Sequence, residues 1–219
     1  MRAARETHAG AAPTRLAPAP PHAYRDARGI TLIEVVASIA LGAMLLLATA
    51  PAFATLRAAG RTAAAAREIA VTLQALRWQS VATGQSHGLS FGVDSIGWSW
   101  RVVRDGNGNG LRTSEVRDGT DRTLSGPHRL EERLAPVRLG FPTGTPIPEI
   151  PPRTGTIADL ADPVHFGRSD LVSLSPVGTA SSGTIYVTDG RELYGIVLFG
   201  PTARLRVWRY DGRSGDWKL

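Results

Sequence analysis

Three groups of residues have the types and spacing for chemistry. The run Arg104-Asp105-Gly106-Asn107-Gly108-Asn109-Gly110 places Asp105, Asn107 and Asn109 at alternate positions ahead of a glycine. Hard oxygens at alternate positions converge on Ca2+, and a glycine allows the sharp turn, so these residues form the first half of a calcium loop. The second half does not match: Val116 holds the twelfth position, Glu115 stands one place early, and Asp118 or Asp121 fits only a different loop geometry. A metal-free Asn-Gly hairpin uses the same residues. The second group is Arg204, Arg206, Arg209, Arg213 and Lys218, mixed with Trp208, Tyr210 and Trp217. Strand alternation puts Arg204 and Arg206 on one face, with Leu205, Val207 and Arg209 on the other. Arginines neutralise phosphates and aromatic rings stack on bases, which makes Arg204, Arg206 and Arg209 candidate DNA contacts. A solvated basic edge strand that blocks aggregation explains the same pattern. The third feature is a single carboxylate, Glu34, beside a long apolar run. An acidic side chain at a bilayer centre costs about 2.5–3.5 kcal/mol, and less near the interface.

The rest of the chain carries no sign of an enzyme. After the first 29 residues only His87, His128 and His165 remain, in no metal-ligand spacing. No G-x-S-x-G elbow, P-loop or dinucleotide fingerprint is present, and Glu131 and Glu132 read as hydrated surface. With no cysteine, disulfides, a thiol nucleophile, a Cys-type zinc site and lipoprotein lipidation are excluded. The 219 residues suit one ordinary domain plus a leader or anchor, and 42% hydrophobic with 20% charged residues argues against wholesale disorder. Half of the net charge of +6 sits in residues 1–29, where Arg2, Arg5, Arg15, Arg25 and Arg28 face only Glu6 and Asp26. The basic balance is therefore weak support for nucleic-acid binding by the chain as a whole.

The elements that must position these groups begin at Gly29. Before it the chain is Ala-, Pro- and Arg-rich with no period, and reads as unfolded. From Val35 to Thr55 there are 21 residues without a charge, enough as a helix to span about 30 Å. The arginines ahead of this run place the amino end in the cytoplasm. A plain single-pass anchor accounts for the length but not for Glu34. A secretory signal peptide accounts for the A-x-A-like sites Ala48-Thr49-Ala50 and Ala52-Phe53-Ala54, although its apolar region is normally shorter. A third reading explains all these features together. Gly29-Ile30-Thr31-Leu32-Ile33-Glu34 resembles the cleavage motif of type IV prepilins and type II secretion pseudopilins. The resemblance implies that prepilin peptidase cuts between Gly29 and Ile30 and methylates Ile30. It makes Glu34 the fifth mature residue, whose carboxylate meets a neighbouring subunit's amino terminus on assembly. Pro51 stands where a helix-kinking proline recurs in that superfamily.

Downstream, Arg57 to Thr83 is Ala-rich and free of proline. Ile69, Leu73, Leu76 and Ser80 follow the spacing of one buried helix face, and Gly84 is the expected stop. Strands are expected at His87–Val93, Ile96–Arg104, Val137–Phe141, Leu171–Ser175, Thr184–Thr188, Leu193–Phe199 and Ala203–Tyr210, the last three as an antiparallel meander. Six prolines between Pro142 and Pro163 exclude a central strand there and point to a long surface loop. The expected fold is α+β and pilin-like: a long amino-terminal helix, transmembrane in its first half and amphipathic in its second, packed on an antiparallel β domain. The expected divisions are a leader 1–29, a membrane or filament-core helix 30–56, its amphipathic continuation 57–83, and a periplasmic β domain 84–219 with the Pro-rich loop 142–163.

Over about residues 29–211 the chain resembles the GspH/FimT family of minor pseudopilins and minor pilins, in its motif and in the ending Ser182-Gly183-Thr184-Ile185-Tyr186-Val187-Thr188-Asp189-Gly190 with Ala203-Arg204-Leu205-Arg206-Val207. The resemblance implies a type II secretion pseudopilus subunit, or alternatively a FimT-like pilin that initiates pili or captures DNA. The partners implied are prepilin peptidase, major and minor pseudopilins or pilins, and an inner-membrane assembly platform. It places the chain in the bacterial inner membrane as a single-pass protein, with a cytoplasmic amino terminus and a periplasmic carboxyl-terminal domain. FimT-like DNA binding uses a Gly-Arg-x-Arg pattern, and Ala203 stands here in place of the glycine.

Overall fold

The computed structural model describes residues 29–144 and 146–219, without the side chains of residues 48–59. Expectations for residues 1–28, and those resting on the side chains of Pro51, Arg57 and the A-x-A sites, lie outside the described residues. The chain divides into two compact units, Met1–Ala48 and Thr49–Leu219. Helix α1, Leu32–Thr83, contributes to both.

In the first unit, apolar side chains from Ile30 to Leu47 stand in the open. Among the described residues no helix is long and apolar enough to cross a membrane. The side chains of residues 48–59, which include the last residues of the uncharged run, lie outside them.

In the second unit one face of α1 is buried. Ala65, Ala66, Ile69, Leu73, Leu76 and Ser80 are buried, and Gly84 ends the helix at φ +69 with its N–H on the Ser80 carbonyl at 3.0 Å. Such a left-handed residue caps the last turn, which glycine does without strain. The Ser80 hydroxyl donates to the Leu76 carbonyl at 2.9 Å and accepts the His87 N–H at 3.1 Å. It thereby fixes the step from helix to first strand.

Two antiparallel sheets follow. Strands β1 (His87–Val93) and β2 (Trp98–Arg104) form a hairpin. A short helix α2 (Thr113–Asp118) leads to the edge strand β3 (Arg122–His128). After α3 (Glu131–Leu134) come the two-residue strands β4 (Arg138–Leu139) and β5 (Val164–His165), on either side of the Pro-rich segment. Strand β6 (Leu171–Leu174) completes the four-stranded sheet in the order β3-β2-β1-β6. Strands β7 (Gly183–Thr188), β8 (Leu193–Phe199), β9 (Arg204–Asp211) and β10 (Asp216–Lys218) continue the second sheet. There β4 and β5 share one edge of β7, and β8, β9 and β10 follow on its other side. The meander predicted from the last three long strands is present as β7-β8-β9. The α+β class follows directly from these elements.

Alternation explains why β7 is buried at every position. Ile185 and Val187, with Ile196 and Leu198 of β8, join the cluster that holds the helix residues and Leu89, Phe91, Val172 and Leu174 of the other sheet. Tyr186 and Leu193 point to the opposite face, into a second cluster with Phe141, Ile147, Ile150, Ile157 and Trp217. Three of those residues come from the Pro-rich segment, for which the sequence predicts a surface loop. It instead roofs the second sheet. Its prolines keep it out of the ladder, while isoleucines at 147, 150 and 157 give it an inward face; each such side chain contributes about 1.5–3 kcal/mol when fully buried. The Trp217 indole N–H donates to the Pro148 carbonyl at 2.8 Å and ties the roof to β10.

Candidate functional site

The Asp105 loop joins β2 to α2, so it is not the two-residue Asn-Gly hairpin that its sequence allows. Asp105 is 2% exposed. Its Oδ1 accepts the N–H groups of Asn107 at 3.1 Å and Gly108 at 2.7 Å, and its Oδ2 accepts that of Gly110 at 2.7 Å. Burial opposes the ionised carboxyl, but these N–H donors outweigh it and hold the group below the usual carboxylate range. Asp121 is equally buried and accepts the N–H groups of Gly106 at 3.2 Å and Arg112 at 3.0 Å. Outside the loop wall, the side-chain amides of Asn107 and Asn109 both donate to the Glu115 carboxylate, at 3.0 and 2.9 Å. The three residues proposed for calcium are thus brought together, and Glu115 joins them although it stands one place early in sequence. Their oxygens and amides close the loop through hydrogen bonds of their own. Among the described residues no group of three or more His, Asp or Glu side chains is placed to hold a metal ion.

The basic strand is β9. Strand β10 pairs only with Arg209, Tyr210 and Asp211, so Arg204 to Trp208 form the free edge of the sheet. Arg204 and Arg206 are exposed on one face, and no carboxylate pairs with either among the described residues. The Arg204 guanidinium lies 5.9 Å from the centre of the Phe199 ring. Arg209 differs. Its Nε and Nη2 engage both Glu192 carboxylate oxygens at 2.9 and 3.2 Å, which holds the guanidinium more firmly protonated than usual. The expected stacking aromatics are also committed elsewhere. Trp217 is 7% exposed, Tyr210 packs on it at 5.3 Å between ring centres, and Trp208 lies against the same cluster. The strand is therefore a short basic edge with two arginines unpaired by carboxylates, and its exposed ring is Phe199 beside Arg204, 48% exposed, not one of the three aromatics expected to stack.

At the amino end, Gly29 and Ile30 are exposed and lie outside the helix. Thr31 heads α1. Its hydroxyl accepts the Glu34 N–H at 3.4 Å, and its carbonyl accepts the N–H groups of Glu34 at 3.1 Å and Val35 at 3.2 Å. Thr31-Leu32-Ile33-Glu34 has the T-x-x-E spacing of a capping box, and its carboxylate lies in the first turn, where the helix dipole favours negative charge. The resemblance assigns Glu34 to assembly and is silent on this local role, for which the T-x-x-E spacing is the signal in the sequence. Glu34 is exposed, and among the described residues nothing bonds its carboxylate.

Residues 24–50 match the model of the prokaryotic N-terminal methylation motif. The chain carries a prepilin-type amino terminus. The motif supports a protein of the type IV pilin and pseudopilin kind, and implies processing by prepilin peptidase and assembly with other pilins. Gly29, Ile30 and Glu34 all fall inside the matched stretch, and the β domain lies outside it. No solved structure matches the chain.

Proposed function

We propose that the chain is a minor pseudopilin of a type II secretion system, a non-enzymatic subunit of the periplasmic pseudopilus that drives exoproteins through the outer membrane. The observation that carries this reading is the methylation motif, with Glu34 at the head of an exposed apolar helix. The antiparallel β domain packed on the second half of α1 supports it. Before assembly the apolar segment holds the protein in the inner membrane, with the amino terminus cytoplasmic and the β domain periplasmic. On assembly it exchanges lipid for the helices of neighbouring subunits. In this reading prepilin peptidase cuts between Gly29 and Ile30 and methylates Ile30, and Pro51 bends the long helix. Intact-mass measurement of the membrane-extracted protein is expected to give a chain starting at methylated Ile30. A mature terminus near Pro51 or Thr55 would mean secretory cleavage and would sink the reading.

One observation favours the FimT-like alternative: Arg204 and Arg206 lie on the same face, exposed and without a carboxylate partner, on the free edge of β9. If they neutralise phosphates, duplex binding by the protein falls steeply with salt, and the slope of log affinity against log salt drops by about 0.9 for each phosphate left without its arginine. Replacing both residues with alanine is then expected to weaken all sequences alike, because phosphate contacts carry no base information. With Arg209 tied to Glu192 and Trp208, Tyr210 and Trp217 packed on the second cluster, weak binding is expected. Tight binding that the double substitution abolishes would make DNA capture the better reading.

A further inference from the structure

The Asp105 loop contains two Asn-Gly steps, Asn107-Gly108 and Asn109-Gly110, and both asparagines are exposed to water. Asn-Gly is the dipeptide in which succinimide formation is least hindered, because glycine offers no side chain against the approach of its nitrogen. In that reaction the glycine amide gives its proton to hydroxide and its nitrogen attacks the asparagine Cγ. An N–Cγ bond forms and the Cγ–Nδ2 bond breaks. The Nδ2 group takes a proton from water and leaves as ammonia. A second water then opens the ring at either carbonyl, leaving aspartate or isoaspartate. No electron transfer is involved, and water is the only co-reactant.

The loop is bound to these dipeptides. Gly108 and Gly110 have φ of +82 and +86, where a side chain is strained. Aspartate in place of either asparagine would turn a carboxylate toward Glu115, which both amides now donate to. Yet both nucleophiles are already occupied. The Gly108 N–H points to Asp105 Oδ1 and the Gly110 N–H to Asp105 Oδ2, each at 2.7 Å. A carboxylate that accepts an N–H makes loss of that proton harder, since a second negative charge would build up beside the first. It also aims the nitrogen at itself and away from Cγ.

We propose that the Asp105 carboxylate guards two latent deamidation sites, keeping Asn107 and Asn109 from succinimide closure by holding the N–H groups of Gly108 and Gly110. The test uses the full chain, extracted in detergent and incubated in mildly alkaline buffer, with peptide mapping for amide-to-acid conversion and isoaspartate. Wild-type protein is expected to keep both asparagines. Asp105→Ala, which adds no further Asn-Gly step, is expected to convert both at a rate about tenfold or more higher, reflecting the strength of charge-assisted N–H bonds. Glu115→Gln leaves the Asp105 bonds in place and is expected to convert at the wild-type rate. Equal acceleration by both substitutions would show that general loosening of the loop controls the reaction and would overturn the proposal, as would no acceleration by Asp105→Ala. Should that variant fail to fold, amide hydrogen exchange on wild-type protein decides. Slow exchange at Gly108 and Gly110 supports the guard, and unprotected exchange at either removes it.

Discussion

A Glu34→Ala chain is expected to be cut after Gly29, to remain in the membrane fraction, and to be missing from filaments. The substitution is not expected to prevent the helix from forming, because the Thr31 hydroxyl and carbonyl still receive the first-turn N–H groups, and a first-turn carboxylate contributes only about 0.3–1 kcal/mol through the helix dipole. The effect comes at assembly. A carboxylate drawn into an apolar filament core is stable only beside a positive charge, and removing one partner of such a buried pair costs about 3–5 kcal/mol. That is more than about a hundredfold in incorporation. Quantifying the protein in sheared filaments against the membrane pool measures it. Wild-type incorporation of the variant would mean that Glu34 serves the helix start alone.

The second large effect is expected in the β domain. Leu73 is fully buried where α1 meets both sheets, and truncating such a leucine to alanine costs about 2–5 kcal/mol, depending on how far the site collapses. For a chain of this size each kcal/mol lowers the melting temperature by about 2–4 °C. Thermal melts of detergent-extracted Leu73→Ala should therefore fall well below wild type. Trp78 makes the control. It lies on the same helix but is 69% exposed, so Trp78→Ala is expected to change stability by less than about 0.5 kcal/mol. Equal melting of all three proteins would mean that this helix face is not docked.

The long strands and the buried helix face are legible in the sequence because each carries a clean period. β1 and β8 have the bounds their sequences predict, and Ile69, Leu73, Leu76 and Ser80 are all inside. Other elements have no period to read. β3 is exposed at all seven positions, contains Gly126 and Pro127, and pairs with β2 through two register shifts. α2 buries nothing. β10 is three residues long, and its one inward side chain, Trp217, looks in sequence like a stacking platform. In the Asp105 loop the ligand spacing is plain in the sequence. The competing demand of the backbone N–H groups is not, because it depends on the turn the chain takes. The basic strand illustrates the same limit: alternation places Arg209 opposite Arg204 and Arg206, but nothing local announces that Glu192, from the turn that leads into the neighbouring strand, holds it.

The Pro-rich roof also determines where the protein tolerates a probe. An epitope or fluorophore inserted between residues 142 and 163 would lift Ile147, Ile150 and Ile157 from Tyr186 and break the Trp217–Pro148 bond. A label there would report on a damaged sheet. The turn between β6 and β7 is the better handle. Val177 at its tip is 82% exposed, and the turn is closed by its own bonds, Ser175 N–H to Thr179 carbonyl at 2.8 Å and Gly178 N–H to Ser175 carbonyl at 3.0 Å. A cysteine at Val177 in this otherwise thiol-free chain gives a single attachment point for following the subunit into a filament.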